Sequence, residues 1–143
     1  MLNALYPVLG SNKLRESRDF YRALFDLRVS FENDWYISLA TETEPHQQIA
    51  FVAHDHESVP TESRQLAAGF LVTLEVEDVD ALWKRAQTLT LEPVLSIRDE
   101  AWGQRHFIVR DPNGVLVDVV QPIPPSAEFA DAYAMTPPGT KSD

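Results

Sequence analysis

The chain has 143 residues, of which 44% are hydrophobic, and this is enough for one globular domain with a buried core. Its formal net charge of -10 argues against binding to nucleic acid or to an anionic membrane surface, because both would repel it. The absence of cysteine excludes disulfides, thiolate metal sites and cysteine nucleophiles. No secretory leader and no apolar run near the ~20 residues of a membrane span is present, so we expect a cytoplasmic protein.

The first third of the chain predicts one helix and four strands. Residues 4–10 predict a strand at a sheet edge, because Pro7 has no N–H to donate. Ser11 and Asn12 are candidate N-caps for an amphipathic helix. Its apolar side is formed by residues at helical spacing: Leu14, Ser17, Phe20, Tyr21, Leu24 and Phe25. Three further strands are predicted over residues 27–31, 35–40 and 47–53.

The same order of elements returns after a linker at residues 54–68, which lack periodicity. A strand is predicted at 69–76, then a helix capped by Asp78, a strand at 91–97 and a hairpin. We therefore expect one domain over residues 1–121, built from two strand–helix–three-strand modules at about 4–53 and 69–121. Residues 122–143 predict a C-terminal tail, with a short helix at 126–135 and disorder over 136–143.

The clearest local signal is a β-hairpin in the second module. Asp111, Pro112 and Gly114 predict a type I turn followed by a left-handed residue. On the return strand, the alternation places Asp118 among aliphatic side chains. Asp118 is therefore a candidate anchor for a cationic or hydrogen-bonding ligand. Alternatively, it is a structural carboxylate that pairs with an arginine such as Arg105, or it faces solvent.

Other polar and aromatic residues are candidates beside it. Glu75 shares the predicted face and could act with Asp118 as a general acid or base, since two neighbouring carboxylates raise each other's pKa. His106, before the turn, is a base, a ligand-binding group or a hydrogen-bonded structural residue. Trp35 and Trp102 either stack on a planar ligand or pack in the core or a dimer interface.

Two further histidines lie in the predicted linker. In the stretch His54-Asp-His-Glu57, alternate residues would share a face on a strand, as metal ligands do. The stretch has no strand pattern of its own, however, and we interpret it as a solvated loop.

The repeated module resembles the vicinal oxygen chelate superfamily, which comprises glyoxalases, bleomycin-resistance proteins and extradiol dioxygenases. The resemblance is carried by the helix signature Ser17-Arg-Asp-Phe-Tyr21 and by the motif from Trp102-Gly103 to Asp111-Pro-Asn-Gly114, in this order. It covers residues 5–121. It implies an α+β fold in which tandem βαβββ modules form a half-barrel cavity, often completed across a homodimer.

The resemblance also implies where a metal would be held. Metal-dependent members use four side chains, at positions that correspond to Tyr6, Gln48, Leu71 and Asp118. In this set only Asp118 offers an anionic oxygen, and leucine has no donor atom at all. The four side chains therefore cannot compensate a hard divalent ion for the hydration that it would lose. We therefore predict that the protein uses no metal and no other cofactor.

Together, these features favour a bleomycin-resistance-like protein that binds a small organic ligand in an aromatic-walled cavity without a metal. The predicted ligand-binding residues are Tyr6, Trp35, Gln48, Glu75, Trp102, His106 and Asp118. The predicted partners are the ligand and a second copy in a homodimer, with no nucleic acid and no membrane. The alternative is a divalent-metal-dependent lyase, isomerase or dioxygenase of the glyoxalase type, with the ion near Asp118. No catalytic residue is assigned.

Overall fold

The computed structural model describes residues 1–135. The predicted disorder at 136–143 lies outside the described residues. In chain order the elements are β1 (Val8–Ser11), α1 (Leu14–Phe25), β2 (Arg28–Glu32), β3 (Tyr36–Ala40), β4 (Gln48–Ala53), a 3₁₀ turn (Thr61–Ser63), β5 (Leu71–Glu75), α2 (Val79–Thr88), β6 (Leu95–Glu100), β7 (Gln104–Arg110), β8 (Leu116–Pro122) and α3 (Ala127–Ala130). The predicted α+β class and the repeated strand–helix–three-strand order are confirmed. None of the helices in residues 1–135 is long and apolar enough to cross a membrane.

The first sheet has the order β1-β4-β3-β2, with β1 parallel to β4 and the other pairs antiparallel. α1 covers one face, where the ring of Tyr21 lies 5.3 Å from that of Phe51. Tyr21 and Leu24 are fully buried, as the helical spacing predicts. β1 is an edge strand, in agreement with the missing N–H of Pro7, whose carbonyl accepts a hydrogen bond from the backbone N–H of Ala50.

The second sheet repeats this arrangement in the order β5-β8-β7-β6, with β5 parallel to β8. α2 begins where predicted, because the Asp78 side chain accepts a hydrogen bond of 3.0 Å from the backbone N–H of Ala81. The helix covers one face of the sheet, where the Trp83 and Phe107 rings lie 5.2 Å apart. The opposite face carries His106 and Asp118.

The described chain forms two compact units. Unit 1 consists of Met1–Gly69 together with Asp111–Val115, and unit 2 consists of Phe70–Arg110 and the chain from Leu116 onward. The turn between β7 and β8 therefore belongs to unit 1, although both of its strands belong to unit 2.

A buried polar network holds this turn in unit 1. The Asp111 carboxylate accepts hydrogen bonds from the backbone N–H groups of Asn113 (2.8 Å) and Val115 (3.0 Å) and from the hydroxyl of Tyr21 (2.8 Å). Burial, reinforced by this carboxylate, raises the pKa of Tyr21 well above its usual range. Gly114 has φ of +83°, so the predicted turn with its left-handed residue is confirmed.

Several predicted boundaries were wrong for local reasons. Strand β6 starts at Leu95 rather than at residue 91, because the residues after α2 form its C-terminal turn, in which Leu91 donates to the Ala86 carbonyl. The side chain of Ser11 accepts from the backbone N–H of Lys13, and the N-cap position of α1 is Lys13. The predicted helix at 126–135 is limited to the four residues of α3.

The hydrogen bond between Tyr21 and Asp111 can be tested by removing one hydroxyl. In Tyr21→Phe the buried carboxylate loses one of its donors, so we expect the free energy of unfolding to fall by about 1.5–3 kcal/mol. Urea denaturation measures this change. The matched control is Tyr6→Phe at a ring that is 43% exposed, where we expect a change below about 0.5 kcal/mol. Equal losses in the two variants would contradict a special role for the Tyr21 hydroxyl.

Candidate functional site

The register of the second sheet brings His106 and Asp118 together. Ile108 pairs with Asp118, and His106 pairs with Val120, so the two polar residues are diagonal neighbours on adjacent strands. Both point away from α2, because side chains alternate along β7 and Phe107 faces the helix. The predicted placement of Asp118 among aliphatic residues is therefore correct.

His106 and Asp118 form a buried hydrogen-bonded pair. The Nδ1 atom of His106 lies 2.7 Å from Oδ1 of Asp118, and the two residues are only 4% and 9% exposed. A carboxylate accepts hydrogen bonds, so Nδ1 carries the proton and donates it. In the neutral imidazole the other nitrogen, Nε2, then has a free lone pair.

Glu100 lies beside that second nitrogen. Its Oε2 atom is 3.4 Å from Nε2 of His106, which is within ion-pair range, but the two groups are not aligned as a hydrogen bond. Nε2 is thus buried without a hydrogen-bond partner. Oε1 of Glu100 accepts a hydrogen bond of 2.7 Å from Arg98. The Arg98 guanidinium, and to a smaller degree His106, lowers the pKa of Glu100.

Trp102 lies edge-on to the imidazole, with 6.2 Å between the ring centroids of Trp102 and His106. Its indole N–H donates to the side chain of Gln104 at 2.8 Å. The C-terminal segment secures this tryptophan, because Tyr133 donates its hydroxyl proton to the Trp102 carbonyl and Phe129 packs edge-on at 6.5 Å. Segment 126–133 therefore packs on the turn that carries Trp102.

The alternative that Asp118 pairs with Arg105 is wrong. The guanidinium of Arg105 binds Asp80 at 2.8 Å and Asp99 at 3.0 Å on the surface. Both of these carboxylates are largely exposed. Surface ion pairs of this kind contribute little to stability. The cluster around His106 therefore contains one imidazole and two carboxylates, those of Asp118 and Glu100. Arg105 is not part of this cluster.

Glu75 lies on the face that carries His106 and Asp118, as predicted. In the sheet register, Glu75 pairs with Val120, which pairs in turn with His106, so two strand spacings separate Glu75 from the imidazole. Burial raises the pKa of Glu75, although the residue is largely exposed. The partner of Asp118 is His106 rather than Glu75.

Unit 1 contains a cavity of about 620 Å³ on the face of its sheet opposite α1. The β1–β4 and β3–β4 registers place Val8, Tyr36 and Val52 on this face, whereas Phe51 faces the helix. Sheet residues and the loop that precedes β3 form one part of the wall: Val8, Gly10, Phe31, Trp35, Tyr36 and Val52. The connector forms the rest: His54, Ser58, Val59, Pro60 and Ser63.

The connector is packed tightly against the first strand. A Cβ on Gly10 would lie 2.3 Å from the carbonyl oxygen of Gln65, so only glycine fits there. The Gly10 carbonyl also accepts a hydrogen bond of 2.9 Å from the backbone N–H of Ala67. Close packing at this point brings the connector along the edge of the cavity.

The two connector histidines lie in a loop, as predicted, and both contribute to this region. The ring of His56 stacks on Trp35, with the ring centroids 3.9 Å apart and the planes 5° apart. Its Nδ1 accepts from the backbone N–H of Ser58 at 3.1 Å, which leaves the ring proton on Nε2. His54 lines the cavity, and its Nδ1 atom is buried without a hydrogen-bond partner.

The other predicted residues of unit 1 lie near the cavity without lining it. Tyr6 precedes β1 and is close enough to Tyr36 to contribute, after burial, to the raised pKa of Tyr36. Gln48 begins β4 and shares the face of Val52, four residues farther along the strand. The structure thus divides the predicted set, with Tyr6, Trp35 and Gln48 in unit 1 and the other four residues in unit 2.

The chemistry of the donor atoms does not suit a divalent metal ion. Leu71 offers no donor, and Tyr6 and Gln48 offer only neutral oxygens. The remaining member of the set, Asp118, is hydrogen-bonded to His106. Asp118 and Glu100 lie at different nitrogens of the imidazole and do not converge on one point. Within residues 1–135, no group of three or more His, Asp or Glu side chains could hold a metal ion.

A family model described as the Glyoxalase/Bleomycin resistance protein/Dioxygenase superfamily matches residues 5–119. The chain belongs to this superfamily. A comparison with curated protein sequences found no match. Membership in the glyoxalase superfamily agrees with the repeated modules and the two mixed four-stranded sheets, which are not closed barrels.

Solved structures show the same fold at low sequence identity. One is a glyoxalase/bleomycin resistance protein/dioxygenase family enzyme from Burkholderia phytofirmans PsJN, with 17% sequence identity and a TM-score of 0.68. The match covers 82% of this chain and 97% of the Burkholderia chain. TioX from Micromonospora sp. ML1 has 19% sequence identity and a TM-score of 0.65, and the match covers 83% of this chain and 98% of the TioX chain. A lactoylglutathione lyase from Agrobacterium tumefaciens has 17% sequence identity and a TM-score of 0.63, and the match covers 82% of this chain and 92% of the lyase chain. These likenesses concern the fold.

Sequence reasoning missed several residues of these sites. Glu100 contacts His106 because β6 pairs with β7, and a carboxylate six residues before a histidine is no signal by itself. His54 and Phe31 reach the cavity through the path of the connector and the register of β2. The one available signal was the alternation of His54 and His56 in the connector.

We expect removal of His106 alone to destabilise the protein more than removal of His106 and Asp118 together. His106→Leu leaves a buried carboxylate without its donor, so we expect the free energy of unfolding to fall by about 3 kcal/mol. The double variant His106→Leu/Asp118→Leu removes the unpaired charge and should recover more than half of that loss. Chemical denaturation of both variants measures the difference.

The control for this comparison is Arg105→Gln. This change breaks two ion pairs on the surface, and we expect it to leave the free energy of unfolding almost unchanged, because exposed ion pairs contribute little to stability. A double variant no more stable than His106→Leu alone would show that the carboxylate is not the source of the loss.

Proposed function

We propose that this protein binds a small, planar, largely apolar organic molecule in the cavity of unit 1 and that it does so without a metal. The observation that carries the proposal is the wall of that cavity, where the rings of Phe31, Trp35 and Tyr36 meet around a space of about 620 Å³. This volume lies within the range of pockets that hold drug-sized ligands.

The aromatic rings favour a flat ligand. Trp35 is already stacked face to face on His56, so its ring is held in a fixed orientation. Phe31 and Tyr36 pack edge-on with centroids 6.0 Å apart. Rigid aromatic surfaces bind planar molecules with a small loss of conformational entropy. An aromatic ligand would bury the 52% of Phe31 that is now exposed.

One polar group would orient the ligand. His54 lines the cavity, and its Nδ1 atom is buried without a hydrogen-bond partner, which is costly. A hydroxyl, amino or ring N–H group on the ligand would satisfy it. The net charge of -10 also makes the protein more attractive to a cation than to an anion.

Metal independence rests on the donor chemistry. None of the cavity residues is a carboxylate, and the family's metal positions offer only Asp118 as an anion. The rival function is that of a metal-dependent lyase, isomerase or dioxygenase. Elemental analysis of the purified protein that finds one tightly held divalent ion per chain would establish that rival.

Binding is tested by isothermal calorimetry in buffer containing EDTA, with 2-naphthol as a neutral planar probe and proflavine as a cationic one. We expect at least one probe to bind, and Trp35→Ala to weaken its affinity about tenfold, because stacking and apolar burial contribute roughly 1–2 kcal/mol. The control is Trp83→Phe on α2, which should change the affinity less than about twofold. No binding of either probe, or equal effects of the two substitutions, would contradict the proposal.

We also propose that the protein is a cytoplasmic homodimer. Several apolar side chains are left exposed, including Leu5 at 86%, Leu71 at 52% and Phe70 at 40%, and such surfaces favour association. Size-exclusion chromatography with light scattering should give twice the chain mass of 16.2 kDa at micromolar concentration. A mass of one chain under these conditions would refute the dimer.

A further inference from the structure

We propose that His54 restricts the ligand of unit 1 to flat molecules whose hydrogen-bonding end is a bare hydroxyl or amino group. The imidazole of His54 forms a wall that a longer substituent cannot pass. This inference rests on the proposed function, because it concerns the same cavity. It adds the chemical class of the ligand and the residue that selects it.

His54 lies where two cavities of unit 1 meet. It lines the cavity of about 620 Å³, and it also lines a second cavity of about 340 Å³. Gly10 and Val52 line the first cavity, and the next residue of each strand, Ser11 and Ala53, lines the second. Because side chains alternate along a strand, the two cavities lie on opposite faces of the first sheet. His54 follows the last residue of β4 and therefore lies between them.

The backbone that carries His54 is held on both sides. Its N–H donates to the Ser11 carbonyl at 3.1 Å, which extends the pairing of β1 with β4 by one residue. The N–H of His56 donates to the Ala53 carbonyl at 3.0 Å, so the chain turns directly after the strand. A Cβ on Gly10 would lie 3.4 Å from the Cβ of His54, which places the histidine against β1. The imidazole is thus attached at a fixed point between the two cavities.

The chemistry of the lining changes at His54. The first cavity is lined mainly by aromatic and aliphatic side chains. The second carries polar and charged side chains from the start of α1 and from the connector, namely Asn12, Arg15, Glu16 and Asp55. A flat apolar ring gains free energy by burial in the first cavity, whereas in the second it would displace water from charged groups. The ring therefore stays in the first cavity, and only a polar substituent is suited to the space beyond His54.

The imidazole also determines which group can end the ligand. Nδ1 of His54 is buried without a hydrogen-bond partner, and in the tautomer with its proton on Nε2 this atom accepts a hydrogen bond. A hydroxyl or amino group can donate to it, but an ether oxygen cannot. Methylene groups added beyond that oxygen would need the space that the ring occupies, and forcing them in costs strain. A bare donor group is therefore the end that fits.

The test compares two neutral probes that share one ring system. 2-Naphthol ends in a hydroxyl, and 2-(2-naphthyloxy)ethanol carries two carbons and a hydroxyl beyond the same oxygen. Isothermal calorimetry of the full chain in EDTA gives the ratio of their dissociation constants. We expect the wild-type protein to bind 2-naphthol at least about tenfold more tightly, because a pocket that fits the shorter group discriminates against added methylene groups to about this degree.

Two substitutions separate the bulk of His54 from its nitrogen atom. His54→Ala removes the wall, so the hydroxyethyl group can enter the polar second cavity and the ratio should fall to within about twofold. His54→Phe keeps a ring of similar size without a polar atom, so 2-naphthol should bind more weakly while the ratio stays above about fivefold. Both changes are compatible with folding, since His54 is only half-buried.

The matched control is His46→Ala, at another half-buried histidine of unit 1, in the loop between β3 and β4. It should leave both affinities unchanged. The inference would be overturned, with the proposed function intact, if the wild-type protein bound both probes equally or if His54→Ala kept the wild-type ratio. A ratio that His54→Phe or His46→Ala lowers as far as His54→Ala does would have the same meaning, as would binding of proflavine without binding of 2-naphthol. If neither 2-naphthol nor proflavine binds, the proposed function fails and this inference fails with it.

Discussion

The structure depends on one buried carboxylate, that of Asp111. It accepts two backbone N–H groups of its own turn and the hydroxyl of the fully buried Tyr21. Each such bond to a charged acceptor contributes about 1.5–3 kcal/mol, and a buried carboxylate without them would be strongly destabilising. The turn therefore has one favourable conformation, and the hairpin that follows from it has one register. Asn113 extends the network, because it accepts from Ser11 at 2.5 Å and donates to Ser17 at 2.9 Å.

The chemistry of the second sheet follows from that register. A slip of one residue between β7 and β8 would turn Asp118 to the face of α2 and leave it among apolar side chains. In the register set by the turn, Asp118 lies diagonal to His106 and the two hydrogen-bond. A turn that is stable for reasons of its own thus determines which polar groups meet on a distant part of the strands.

The sequence was informative wherever structure is decided locally. The turn at Asp111–Gly114 and the cap at Asp78 were predictable because their hydrogen bonds lie within four residues. Alternation along β8 gave the face of Asp118, but its partner was not predictable. Whether a carboxylate meets Arg105 or His106 depends on which neighbours the pairing places beside it, and both are nearby in sequence. Glu100 and His54 were missed for the same reason, since a strand pairing and a loop path place them.

The two sites differ in the kind of chemistry that they can support. The cavity of unit 1 is lined mainly by aromatic and aliphatic groups, together with two serines and His54, whose Nδ1 atom is buried without a hydrogen-bond partner. The cluster of unit 2 is polar instead, because Arg98 pairs with Glu100, Glu100 lies beside His106, and His106 hydrogen-bonds to Asp118. The family's metal positions at Tyr6, Gln48 and Leu71 carry no anionic oxygen in this chain, and the carboxylate at the fourth position, Asp118, is hydrogen-bonded to His106.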